Sequence, residues 1–202
     1  MLTDDEQEHI AEVIREAEGR TVGEIVVVMA RQASAYRSVP LLYALLGGLA
    51  VPWPLIWLTS LSAARIFTIQ LLVAVLLVVV CGIPRLRLAA VPGFIRRARG
   101  REAAAREFRA RGLARTRGRT GVLIYMAAAE HYAEVVADTG IASRVDEEVW
   151  RAAIEELVTA IRAGRTADGL AAMVKRVGEV LAQHAPRGAG DRDELPNKVI
   201  LV

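Results

Sequence analysis

From Ser38 to Ala64 the chain runs 27 residues without a formal charge, and after Arg65 it runs another 19, from Ile66 to Pro84. A helix needs roughly 20 apolar residues to cross the core of a bilayer, where backbone groups must satisfy one another. The two runs therefore predict two membrane spans, and the short link "TSLSAAR" between them makes a helical hairpin. Composition agrees: 53% hydrophobic residues is too apolar for one soluble domain, and 24% charged residues is too many for a chain wholly in lipid. Pro52 and Pro54 interrupt the first limb. Proline removes a donor and crowds the preceding turn, so this limb is expected to kink or to be partly re-entrant.

The opening "MLTDDEQEHIAEVIREAEGR" has neither the basic start nor the apolar core of a secretory signal, so insertion is expected to begin at the hairpin. Twelve arginines between Arg85 and Arg119 follow the second span, against one in the hairpin loop. By the positive-inside rule this places the protein in the inner (plasma) membrane as a multi-pass chain with both termini cytoplasmic. Residues 85–120 carry +10, leaving −7 for the rest of a chain whose net charge is +3. Arg96, Arg97, Arg99 and Arg101 are the candidate contacts to anionic lipid headgroups. The same block also serves topology and solubility, and it lacks the readout residues a nucleic-acid surface would add. Membrane lipid and other membrane proteins are the expected partners, with no nucleic acid. The single cysteine, Cys81, falls in the second span, so neither an internal disulfide nor a thiolate metal cluster is available.

Outside the spans the periodicity is that of an α/β protein. Thr3 and Glu6 form a capping box before Ile10, Val13, Ile14 and Ala17 at helical spacing, with Gly19 as the stop. "EIVVVMA", Glu24 to Ala30, is an unbroken β-branched run, which predicts a central strand covered on both faces. A basic helix with Ala104, Phe108 and Leu113 on its apolar side follows the spans. Then come strands at 122–127 and 132–137 as a tight antiparallel hairpin, and amphipathic helices from Val145 to Arg162 and from a cap at Thr166 or Asp168 to Gln183. The tail from Pro186 to Asn197 is loop, and "KVILV" offers an edge strand. The expected division is thus 1–37 and 121–185 as two parts of one domain, 38–84 as the spans, 85–120 as a basic juxtamembrane helix and linker, and 186–202 as the tail.

The stretches "GVLIYMAAAEHYAEVVADTGI" and "GRTADGL", with the first helix and strand, resemble the TPM domain family. The closing "ELPNKVILV" is similar to the ending of its bacterial membrane-protein branch, in which two spans interrupt the domain. The resemblance implies a three-layer α/β/α sandwich interrupted by the transmembrane hairpin. It also implies an activity for which some members are proposed, acid phosphatase chemistry or calcium binding through acidic residues at strand ends. The family pattern Gly-Tyr-Gly-Leu-Glu-Gly corresponds here to Asp138, Thr139, Gly140, Ile141, Ala142 and Ser143, followed by Asp146. Alanine thus stands in the place of the glutamate.

Two readings of the function follow. One is a non-enzymatic interaction or assembly module anchored at the cytoplasmic membrane face. The other is a metal-dependent phosphatase in which Asp138, Asp146 and Asp168 hold Ca2+ or Mg2+, the cations that oxygen ligands suit. Acidic residues at helix starts also have a structural reason to be there, as caps and dipole partners. The histidines His9, His131 and His184 are scattered, and serine-nucleophile and phosphate-loop signatures are missing, which takes most of the support from covalent acyl transfer and nucleotide hydrolysis. Gly140 and Gly164 are expected in left-handed or tight-turn backbone.

Overall fold

A computed structural model describes residues 2–187, 195–196 and 198–202. Most of the tail read as loop, residues 188–194 and 197, lies outside the described residues. In chain order the elements are α1 (Asp4–Glu18), β1 (Ile25–Ala30), α2 (Ser38–Ala50), α3 (Pro52–Leu58), α4 (Ala63–Gly82), α5 (Pro84–Ala89) and α6 (Gly93–Ala110). After a 3-10 turn at Leu113–Arg115 come β2 (Val122–Ala127), β3 (Tyr132–Ala137), α7 (Thr139–Ala142), α8 (Glu147–Arg162), α9 (Thr166–His184) and β4 (Val199–Leu201). They divide into an α/β unit, Met1–Ala33 with Arg99–Val202, and a helical unit, Ser34–Ala98.

In the α/β unit the four strands lie in the order β3-β2-β1-β4. β1 pairs parallel with both β2 and β4, while β2 and β3 form the antiparallel hairpin. The β-branched run proves central for a simple reason: strand alternation feeds two cores at once. Ile25, Val27 and Met29 join α1, α8 and α9 on one face, and Val26, Val28 and Ala30 join Ala103, Ala104 and Phe108 of α6 on the other. β2 divides the same way, with Val122, Ile124 and Met126 against Leu123, Tyr125 and Ala127. This is the three-layer α/β/α sandwich. "KVILV" supplies its edge strand, three residues in register with Val27, Val28 and Met29.

Helix ends follow local chemistry, with two corrections. Thr3 and Glu6 make the reciprocal capping box, and Gly19 caps the other end of α1. α8 starts at Glu147, two residues later than its apolar pattern, because Val145 packs into the core from the preceding turn while Asp146 takes the N-cap. α9 is capped by Arg165, not by Thr166 or Asp168, and no side chain bonds there. Its first turn follows the left-handed Gly164, φ 75°.

In the helical unit, α2 and α3 break at Val51, as the proline pair requires. Together they still make one run, Ser38–Leu58, long and apolar enough to cross a membrane, and Ala63–Gly82 makes the second. Few residues of either run are buried within the chain, so neither is a core helix of either unit. A side chain at Gly47 would meet Leu77, which lets α2 and α4 approach closely. Tyr43 turns its hydroxyl to the carbonyl of Ala90 at 2.8 Å.

Candidate functional site

The sheet brings its buried polar side chains to its two ends. Where β1 and β2 begin lie Glu18, Thr21, Glu24, Thr116, Thr120 and Asp138, and where they end lies Glu130. Each buried glutamate accepts a backbone N–H at a chain junction. Glu18 Oε1 takes that of Ile25 at 2.7 Å, Glu24 Oε2 that of Leu195 at 3.2 Å, and Glu130 Oε1 that of Ala33 at 3.0 Å. Buried amides left over at the margins of a ladder need such acceptors, and a carboxylate is a strong one. None of these three glutamates was legible as functional in the sequence, where each is one acidic residue in a mixed loop or helix end.

Asp138 ends β3, but β3 runs antiparallel to its neighbours. Its end is therefore the edge where β1 and β2 start, opposite the carboxyl ends at which open α/β sheets bind ligands. Its side chain is 6% exposed. Oδ1 accepts the Thr139 amide at 2.7 Å and the Thr139 hydroxyl at 3.3 Å, capping α7, and Oδ2 faces Arg119 Nη1 at 3.5 Å. The backbone of Asp138 continues the ladder, its N–H donating to the Gly121 carbonyl at 2.9 Å.

Asp146 and Asp168 are exposed, one as the N-cap of α8 and the other in the first turn of α9 beside a cleft of about 190 Å3 between those helices. Among the described residues, no three His, Cys, Asp or Glu side chains gather as the ligands of a metal ion would. A divalent cation seeks several carboxylate or carbonyl oxygens at one point. Asp138 instead has one oxygen committed to a cap and the other facing a guanidinium, so the donor set does not fit such an ion.

Gly140 differs from the sequence expectation in its reason for being glycine. Its backbone is helical and not left-handed, and a Cβ there would stand 2.5 Å from the Gly118 carbonyl oxygen and 2.6 Å from that of Arg119. The close approach is to the protein's own chain: the Gly140 N–H donates to the Arg119 carbonyl at 3.0 Å.

The basic segment is sorted by its contacts. Arg96 falls on the half-buried side of α6, one turn before the buried Gly100, with its Nε buried; Arg97 is exposed. Arg99 pairs with Glu102 at 2.7 Å, and Arg101 reaches Glu134 at 3.8 Å. Arg106, Arg109, Arg115 and Arg117 are exposed, and no ion pair engages them among the described residues. Next to this helix, the Tyr132 ring packs on Gly100, where a Cβ would come within 2.5 Å of it, and its hydroxyl donates to Glu134 at 2.7 Å. Burial, then the bond to Glu134, raises the Tyr132 hydroxyl well above its ordinary range. Tyr125, buried in the same core, is pushed up to about 12 by burial, with Glu130 and Glu107 adding to the effect.

The TPM domain model matches residues 84–180, a stretch that begins after the apolar hairpin. No curated protein matched the chain. The NMR structure of BA42 protein from the psychrophilic bacterium Bizionia argentinensis shares the fold, with a TM-score of 0.63, 20% identity, and coverage of 100% of this chain and 96% of that one.

Proposed function

From the TPM domain that this chain carries, we propose that it works as a membrane-anchored interaction or assembly module at the cytoplasmic face, without catalysis of its own. One observation carries the reading: the two apolar helices bury few of their residues within the chain and expose large apolar side chains, among them Leu45, Leu72 and Trp57, the last 81% exposed. Such a surface calls for lipid. The arginine excess after the second span favours the cytoplasmic side. Arg96, Arg97, Arg99 and Arg101 begin the return of the chain to the α/β unit, where contact with anionic headgroups is worth roughly 1 kcal/mol per basic residue.

The test uses the full chain in vesicles. A dye at an introduced cysteine, Glu102→Cys in a Cys81→Ala background, reports quenching by labelled headgroups in anionic and in zwitterionic bilayers. Stronger quenching in anionic bilayers, lost when all four arginines become glutamate, is the expected result. Equal quenching in both bilayers would reject lipid contact by this segment.

A further inference from the structure

The two layers that enclose the sheet differ in sign within the α/β unit alone. On one side, α1 exposes Asp5, Glu8, Glu12 and Glu16 against His9 and the single arginine Arg15. On the other, α6 and the loop after it expose Arg106, Arg109, Arg115 and Arg117. Arg99, Arg101, Arg111 and Arg119 are already held by Glu102, Glu134, Glu107 and Asp138. The remaining four arginines have no ion-pair partner among the described residues, and neither have Glu8 and Glu12.

Neighbours of like charge three or four positions apart repel along a helix. Arg106 and Arg109 stand so on α6, and Glu8, Glu12 and Glu16 on α1. Glu16 has Arg20 at 3.9 Å, but α1 and α6 pack on opposite faces of the sheet, so their two sets of charges cannot meet within one unit. A second copy would bring them together.

We infer that copies of this chain associate front to back, the basic outer face of α6 and its following loop on one copy lying against the acidic outer face of α1 on the next. The inference deepens the assembly reading and rests on it. α1 is the seat because its neighbour α9 is balanced, with Arg176 paired to Glu179 at 3.7 Å. The contact is heterologous, so each copy uses two different faces and association builds rows.

The experiment reads energy transfer between donor- and acceptor-labelled full chains in zwitterionic vesicles, where anionic lipid plays no part. Arg106→Glu/Arg109→Glu alone and Glu8→Arg/Glu12→Arg alone should each lose at least tenfold in association. Mixing the two should restore it, since one variant then presents two acidic faces and the other two basic ones. Raised salt should weaken every pairing. Association indifferent to both reversals, or no rescue on mixing, overturns the inference. Arginine-dependent association that requires anionic lipid also overturns it and assigns these arginines to headgroups. Flotation of the same vesicles reports insertion separately, and crosslinking of the same pairs in detergent micelles tests front-to-back contact without it.

Discussion

Arg119 Nη1 stands 3.5 Å from Oδ2 of Asp138, a side chain more than half exposed set against one that is 6% exposed. The pair is lopsided: solvent can replace the guanidinium, but little can replace the carboxylate's contacts to Thr139.

Removing each partner should therefore have unequal effects. Asp138→Ala leaves the start of α7 uncapped and is expected to lower stability by about 1–3 kcal/mol. Arg119→Ala removes a solvent-screened partner and should stay below about 1 kcal/mol. Denaturant melts of both variants decide it, and equal losses would mean that the ion pair outweighs the cap.

Gly140→Ala should destabilise by about 1–3 kcal/mol, because its Cβ would press on two backbone carbonyls that cannot rotate away. Gly164→Ala is strained for a different reason, its φ of 75°, with open space around it. Crystal structures would separate them: a displaced Gly118–Arg119 segment in the first variant, an unmoved surround in the second.

Alkaline pH should loosen the α6 side of the sheet. The hydroxyls of Tyr125 and Tyr132 titrate higher in the folded protein than the unfolded value of 10.0. The folded state therefore keeps its protons longer, and the stability involved is intact below pH 10.0 and lost as pH rises through about 12, where Tyr125 titrates. Tyrosinate absorbance and circular dichroism should change together above that pH. Tyr132→Phe, which drops the bond to Glu134, should reduce the steepness of the loss. In a Tyr36→Phe/Tyr43→Phe background, tyrosinate absorbance rising near pH 10.0 with the fold intact would contradict the assignment.

A calcium and magnesium titration by calorimetry, beside Asp138→Ala and Asp146→Ala, addresses the phosphatase reading. We expect no saturable heat at millimolar metal in any of the three proteins. Saturable binding lost in both variants would restore the metal reading and justify a phosphomonoester assay with Asp168→Ala added.

What was legible in the sequence is what neighbours along the chain decide. Uncharged length marked Ser38–Leu58 and Ala63–Gly82, the proline pair marked the break at Val51, and two short apolar runs joined by a tight turn marked β2 and β3 to the residue. These depend on period, length and missing donors, which are local properties. The location of Asp138 is not local. Its distance from the carboxyl ends of β1 and β2 follows from β3 running antiparallel, which sets it beside Gly121 and within 3.5 Å of Arg119. Nor could spacing distinguish Arg101, which finds Glu134 across the fold, from Arg106, which finds no carboxylate among the described residues. Sequence alone determined the two long apolar helices and the layers, because burial of apolar surface reads out residue by residue. Only the tertiary structure decided which charges are spent inside the α/β unit and which face outward, because an ion pair needs two groups that the chain brings together only when it folds.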